Sequence, residues 1–401
     1  MKKKVLFVTN AMGRAGAERT LIALFEKFDK QKYDVSMLSI IPRGDFFASV
    51  PEGVTILNKK FEAKSFTGSG TLFFRMGMVI KAFFKRFYLI RHLPYILKVL
   101  FCLIKNRKFS FDKFSWHALA QAAPRFNEEF DLAVAYIEGA STYYVSDYVK
   151  AKHKVSFVHI DYNMSGYVKE IDRPYYQKMD RIFCVSSVVK SSILTCFPEF
   201  ENKTDIYQNT ISDQYILKSA DEGIGFTDDF DGLRLLTVGR LHYQKGYDVA
   251  IKALALFFER SDINLRWYIV GEGSEQQKLE KMIKQYGLED RFILLGSKDN
   301  PFPFMKECDI YVHATRFEGW SIAIAEAKIL KRPIIATNSA GVLDQLSPES
   351  SIIINLDEEE IANAILKLAS DAQLRARFTE ILNEEWKRPN DINKLYSLLD
   401  E

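Results

Sequence analysis

Short apolar runs that end in a glycine or polar turn and lead into a helical pattern recur along this 401-residue chain. Such alternation specifies parallel strands joined by crossover helices, and few folds satisfy it. In the first half the pattern predicts strands at Val5–Thr9, Asp34–Ile40, Leu132–Tyr136, Val155–Val158 and Ile182–Val185, with a shorter one at Asp205–Tyr207. A second series opens with strand Leu233–Val238, helix Tyr247–Glu259, strand Leu265–Val270 and helix Glu275–Gln285. It continues with strands Phe292–Leu295 and Ile310–His313, helix Ser321–Leu330, and strands Pro333–Ala336 and Ser351–Ile354. Residues 219–232, acidic and glycine-bearing, read as a loop by composition. The expected fold class is α/β, with two Rossmann-like, doubly wound domains at 1–209 and 210–389 facing across a cleft, the default ligand site. A last helix at about Asn390–Leu399, after Pro389, is expected to pack back on the first domain. With 47% hydrophobic residues the chain can fill two cores.

A net charge of +3 is too mild to imply a nucleic-acid partner. The four cysteines, Cys102, Cys184, Cys196 and Cys308, form no Cys-x-x-Cys pair and lie in apolar stretches, as buried thiols of a reducing cytosol would. The first apolar run stops at Asn10, too short for a signal peptide, and no run reaches the ~18 apolar residues of a membrane span. Residues 72–113 form an insertion with ten Lys/Arg, one acid and many aromatics. Pro94 is expected to divide it into two helices. In the second, Arg91, Lys98 and Lys105 recur every seven residues and make a basic stripe on an apolar helix. Such a helix suits an anionic membrane surface; the alternative is a core helix with snorkelling lysines.

Chemistry concentrates in the second half. Glu318-Gly319-Trp320-Ser321 forms a turn into a helix, and Glu326 lies two turns later among Ile322, Ala323, Ile324, Ala325 and Ala327. That carboxylate either faces water or is buried, and burial without a partner is costly. Val238-Gly239-Arg240 places a cation at the carboxyl end of a strand, and Lys245-Gly246 lies just before the next helix. Two cations beside a helix N-terminus make an anion site; the alternative is a pair of surface cations. Gly271-Glu272-Gly273 is a further strand-to-helix turn that permits close backbone approach. It is neither Gly-x-Gly-x-x-Gly nor a P-loop, so a dehydrogenase or NTPase is not indicated.

These motifs in this order, Gly239-Arg240, Lys245-Gly246, Gly271-Glu272-Gly273 and Glu318 to Glu326, resemble the donor half of retaining GT-B glycosyltransferases. The specific likeness is to family 4, the bacterial cell-surface polysaccharide type. Ala15-Gly16-Ala17-Glu18 and Val158-His159-Ile160-Asp161 extend the resemblance into the first half. It implies a nucleotide-diphosphate sugar donor, UDP-linked by family frequency, and a hexose transferred to a saccharide acceptor. Arg240 and Lys245 would stabilise the leaving diphosphate. Backbone amides at Gly319, Trp320 and Ser321 would hold phosphate oxygens. Glu326 would accept bonds from the ribose hydroxyls, and Glu318 from the donor sugar. Gly271, Glu272 and Gly273 would lie near the nucleoside, Gly239 would belong to the donor site with Arg240, and Gly16 would approach the diphosphate. His159 would sit beside the sugar on the acceptor side, hydrogen-bonding a sugar hydroxyl or polarising a backbone carbonyl, the alternative being a structural histidine at a strand end; Asp161 is a further acceptor-side candidate.

The two glutamates are then not the acid and nucleophile of a glycosidase. The resemblance implies front-face displacement without a protein nucleophile, cofactor or required metal. The basic insertion adds a lipid-linked acceptor and a peripheral place on the inner face of the plasma membrane, in capsule, exopolysaccharide or related synthesis. The sequence departs from the family pattern at Ala15, where glycine is common, at Asp344, where Glu is commoner, and at Trp320, where smaller residues are frequent. A nucleotide-sugar epimerase, a sugar phosphorylase or a noncatalytic sugar-nucleotide binder are the competing readings.

Overall fold

The computed structural model describes residues 2–13, 16–41, 44–58, 88–105, 116, 120, 123–163, 165, 167–385 and 391–401. The chain divides into two compact units, one of Met1–Ile211 with Pro389–Glu401, the other of Ser212–Arg388. Each is built on a parallel sheet.

In the first unit the strands are β1 (Lys3–Thr9), β2 (Tyr33–Ser39), β3 (Val54–Ile56), β4 (Phe130–Ala135), β5 (Ala151–Val158), β6 (Arg181–Cys184) and β7 (Thr204–Ile206). They pair in the order β3-β2-β1-β4-β5-β6-β7. The central strands are buried on both faces, which is why they read as continuous apolar runs. Helix Asn393–Asp400 belongs to this unit: Leu395, Leu398 and Leu399 join the core with Phe7, Phe28 and Tyr33. Tyr396 stacks on Tyr33 at 5.1 Å and accepts a bond from the Asp29 N–H at 2.9 Å. Each buried leucine contributes about 1.5–3 kcal/mol.

In the second unit the strands are β8 (Leu233–Val238), β9 (Leu265–Val270), β10 (Phe292–Leu294), β11 (Ile310–His313), β12 (Ile334–Thr337) and β13 (Ser351–Ile354), in the order β10-β9-β8-β11-β12-β13. Strand order therefore reverses between β1 and β4 in one sheet and between β8 and β11 in the other. At such points the loops from neighbouring strands diverge to opposite faces and leave a crevice at the carboxyl edge.

Two local expectations are corrected. Tyr88–Lys105 is one helix that continues through Pro94. Pro94 is exposed, where solvent can satisfy the carbonyl it leaves unpaired, and Ile96, Val99 and Cys102 are buried on the other side. Val99 and Cys102 pack on Val168 and Ile171, which anchors the helix. Residues 219–222 are the end of helix Asp213–Glu222, not loop. Ser212 caps its start by accepting from the Tyr215 N–H, and Ile216 and Ala220 are buried, so the polar composition marks only the outer face. Arg91, Lys98 and Lys105 fall within helix Tyr88–Lys105, and the rest of the insertion, 72–87 and 106–113, lies outside the described residues, as does Ala15.

Candidate functional site

The carboxyl ends of β8 and β11 carry a buried polar cluster. Lys245 Nζ donates to Glu318 Oε2 at 2.6 Å, and both side chains are largely buried, 15% and 14% exposed. His313, at the end of β11, places Nε2 3.4 Å from the same oxygen. Burial alone would raise the Glu318 pKa; the charge of Lys245 and the bond and charge of His313 outweigh it and hold it at about 2. His313 is itself buried, and burial lowers its pKa. Lys245 and Glu318 are 73 residues apart, and their loops are stitched together. Arg316 pairs with Asp248 through two bonds, at 2.9 and 2.8 Å, and donates to Tyr243 O. Gln244 Nε2 donates to Phe317 O at 2.8 Å. Gly246 adopts the left-handed conformation, φ 62°, and a Cβ there would lie 2.7 Å from Ala314 O, so glycine is required where the loops meet.

Arg240 is exposed, and among the described residues its guanidinium makes no ion pair. One cation of the site is thus neutralised by a carboxylate and the other is not. Gly239 leads into Arg240 and is overlain by Gly271: a Cβ at 271 would come 2.0 Å from Gly239 O. The turn Gly271–Gly273 therefore lies against the β8 loop, with Glu272 O accepting the Leu241 N–H; the Glu272 side chain and Gly273 are exposed. Ser321 caps helix Ile322–Ile329 by accepting from the Ile324 N–H, with Gly319 and Trp320 half-buried ahead of it. Glu326 is buried, only 2% exposed, so the reading in which it faces water is wrong. Its charge acts on the buried Tyr311 hydroxyl, which donates to Val238 O, so the carboxylate lies among the same strand ends.

In the first unit the reversal between β1 and β4 is flanked by Asn10 and Glu138. Asn10 Nδ2 donates to Glu138 O and its Oδ1 accepts the Ser141 N–H. His159 follows β5, half-buried, with Nε2 2.9 Å from Tyr136 O. Burial takes its pKa down to about 4 despite that bond, so the ring is neutral at physiological pH. Asp161 accepts from the Asn163 N–H in its own loop at 3.0 Å and from Ser192 Oγ, on helix Ser187–Cys196, at 2.6 Å. Gly16 begins helix Gly16–Lys27.

The structure thus joins Lys245, Glu318, Gly239 and Gly271 in one cluster, with Glu326 near its strand ends. His159, Asp161 and Gly16 belong to the other unit. Sequence reasoning missed His313, Arg316, Asn10 and Glu138. The signal for His313 was a polar residue closing an apolar strand run; Asn10 closes the first run in the same way.

Residues 230–384 match the family model of glycosyl transferases group 1. The N-acetylgalactosamine-N,N'-diacetylbacillosaminyl-diphospho-undecaprenol 4-alpha-N-acetylgalactosaminyltransferase of Campylobacter jejuni is 29% identical over 206 residues, 51% of this chain and 54% of that protein. The match therefore spans about half of the relative's length. Among solved structures, Anabaena HepE in complex with UDP and glucose aligns over 100% of both chains with a TM-score of 0.68 at 16% identity. The E. coli trehalose-6-phosphate structure bound with UDP-2-fluoro glucose aligns over 99% of each chain, with a TM-score of 0.68 at 13% identity. At these identities the structural likeness speaks to fold. The chain has the GT-B fold of glycosyltransferases, and its second unit carries the match to glycosyl transferases group 1.

Proposed function

We propose that the protein is a retaining glycosyltransferase of the family 4 type. It transfers a hexose from a UDP-sugar to a lipid-linked saccharide in cell-surface polysaccharide synthesis. The observation that carries this reading is the Lys245–Glu318 pair beside an unpaired Arg240 at the strand-order reversal of the second sheet. As the glycosidic bond breaks, negative charge develops on the diphosphate, and Arg240 and Lys245 supply fixed positive charge there in place of a metal. Glu318, held ionised by Lys245, accepts from hydroxyls of the donor sugar and fixes its orientation. Glu326 accepts from the ribose diol, and the amides at the start of helix Ile322–Ile329 receive phosphate oxygens. The acceptor oxygen bonds the anomeric carbon on the face from which the phosphate oxygen departs, and the acceptor proton passes to that phosphate oxygen. Configuration is retained without a covalent enzyme intermediate.

UDP in the HepE complex supports the nucleotide assignment. The diphospho-undecaprenol in the name of the Campylobacter relative supports a lipid-linked acceptor. Helix Tyr88–Lys105 exposes Leu93, Leu97, Phe101 and Ile104, an apolar face that favours peripheral docking on the inner membrane leaflet. No helix among the described residues is long and apolar enough to cross a membrane.

The test is nucleotide release from UDP-, GDP-, ADP- and dTDP-sugars by the purified protein, with Lys245→Ala alongside. Slow hydrolysis of one donor, reduced about 100-fold or more in the variant, is the expected result. Absence of both release and nucleotide binding with every donor would reject the reading.

A further inference from the structure

Glu138 is a buried carboxylate, 6% exposed, that the reaction outlined above does not use. It stands just beyond β4, and its Oε2 accepts the main-chain N–H of His159, just beyond β5, at 2.9 Å. Burial raises its pKa, partly countered by that amide and by its own. Its backbone is fixed in turn by Asn10, at the end of β1. Three neighbouring strand ends are therefore tied at the point where the first sheet reverses its order.

The consequence falls on the His159 ring. The Tyr136 carbonyl can only accept, so the Nε2 facing it at 2.9 Å carries the hydrogen. The neutral ring is then the Nε2–H tautomer, and Nδ1 keeps its lone pair with no hydrogen-bond partner among the described residues. Tyr136 and Phe157 pack on the imidazole, with centroids at 5.2 and 6.3 Å. Stacking limits ring tilt but does not set the main-chain position from which the ring extends; the bond to Glu138 does.

We propose that Glu138 is a positioning residue that anchors the backbone of His159, so that the ring stays in one tautomer and presents Nδ1 as an acceptor for a sugar hydroxyl. This rests on the glycosyltransferase reading for the identity of the ligand, not for the anchor itself.

The experiment combines two readouts on wild type, Glu138→Ala, Glu138→Gln, His159→Ala and the Glu138→Ala/His159→Ala double variant. One is UDP release from UDP-glucose together with UDP affinity; the other is the nitrogen-15 correlation spectrum of the histidine imidazoles. Glu138→Ala is expected to release UDP about tenfold more slowly or worse, with UDP affinity unchanged. Glu138→Gln, which still offers an oxygen to the His159 N–H, recovers most of that loss. The double variant is no slower than His159→Ala alone, because both changes remove one device. Release by Glu138→Ala equal to wild type, or losses that multiply in the double variant, would overturn the proposal. Should wild type neither turn over nor bind any donor, the function reading fails separately; in the absence of turnover the spectrum decides the anchor. A single Nε2–H signal for His159 that becomes mixed in Glu138→Ala supports it, and an unchanged signal rejects it.

Discussion

Both sheets carry a glutamate at the point where strand order reverses, and the two are held in opposite ways. Glu318 faces the Lys245 ammonium and is pulled down to about 2. Glu138 faces main-chain amides, and burial pushes its pKa up. The second unit spends its carboxylate on a charged network beside a cation without an ion pair, the arrangement a diphosphate needs. The first unit ties a neutral histidine to its neighbours through main-chain hydrogen bonds. One architecture, used twice, holds one carboxylate by a charged side chain and the other by the main chain.

The largest expected effect tests that contrast through pH. A depressed carboxyl pKa gives stability that is present above the ordinary 4.5 and lost as pH falls toward about 2. For Glu318 this amounts to about 3 kcal/mol. Denaturant titrations at falling pH should show this loss in wild type and much less of it in Glu318→Gln. The raised pKa of Glu138 has the opposite sign: its contribution is full below the ordinary carboxyl range and declines as pH rises through the folded value. Equal acid sensitivity in wild type and Glu318→Gln would erase the distinction between the two carboxylates.

A smaller effect sharpens the division of labour. Glu326→Ala should weaken UDP binding by about 2 kcal/mol, some 30-fold, because hydrogen bonds from the ribose to a charged acceptor are lost. Calorimetry with free UDP checks this; unchanged affinity would remove Glu326 from the nucleotide site. The smallest effect concerns the first unit alone. Replacing Arg91, Lys98 or Lys105 by alanine should each cost about 1 kcal/mol of binding to anionic liposomes at low salt, without altering UDP affinity. Sedimentation that is indifferent to all three changes and to salt would exclude an electrostatic membrane contact.

The sequence made the fold legible because both sheets are parallel and buried, so their strands stand out as apolar runs. Leu233–Val238, Leu265–Val270 and Ile310–His313 were located to the residue. The edge strand Val54–Ile56 escaped, being three residues long and only half-buried. On the donor side the residues of interest could be named from motifs, yet the ion pair between Lys245 and Glu318 could not, since it joins loops 73 residues apart. Glu138 was invisible for a related reason: a glutamate after a strand is ordinary, and only the neighbouring strand shows which amide it accepts. The helix through Pro94 was misread because proline's local cost was weighed without the packing against Val168 and Ile171 that offsets it.

The placement of Leu395, Leu398 and Leu399 in the core of the first unit bears on how the protein is made. A ribosome that has added residue 211 has synthesised every strand of that sheet but none of those leucines. The second unit, contiguous from Ser212 to Arg388, emerges with all of its own residues before them. The unit translated first is therefore the one completed last, and its nascent sheet waits, with an apolar gap where the leucines belong, through the synthesis of its neighbour.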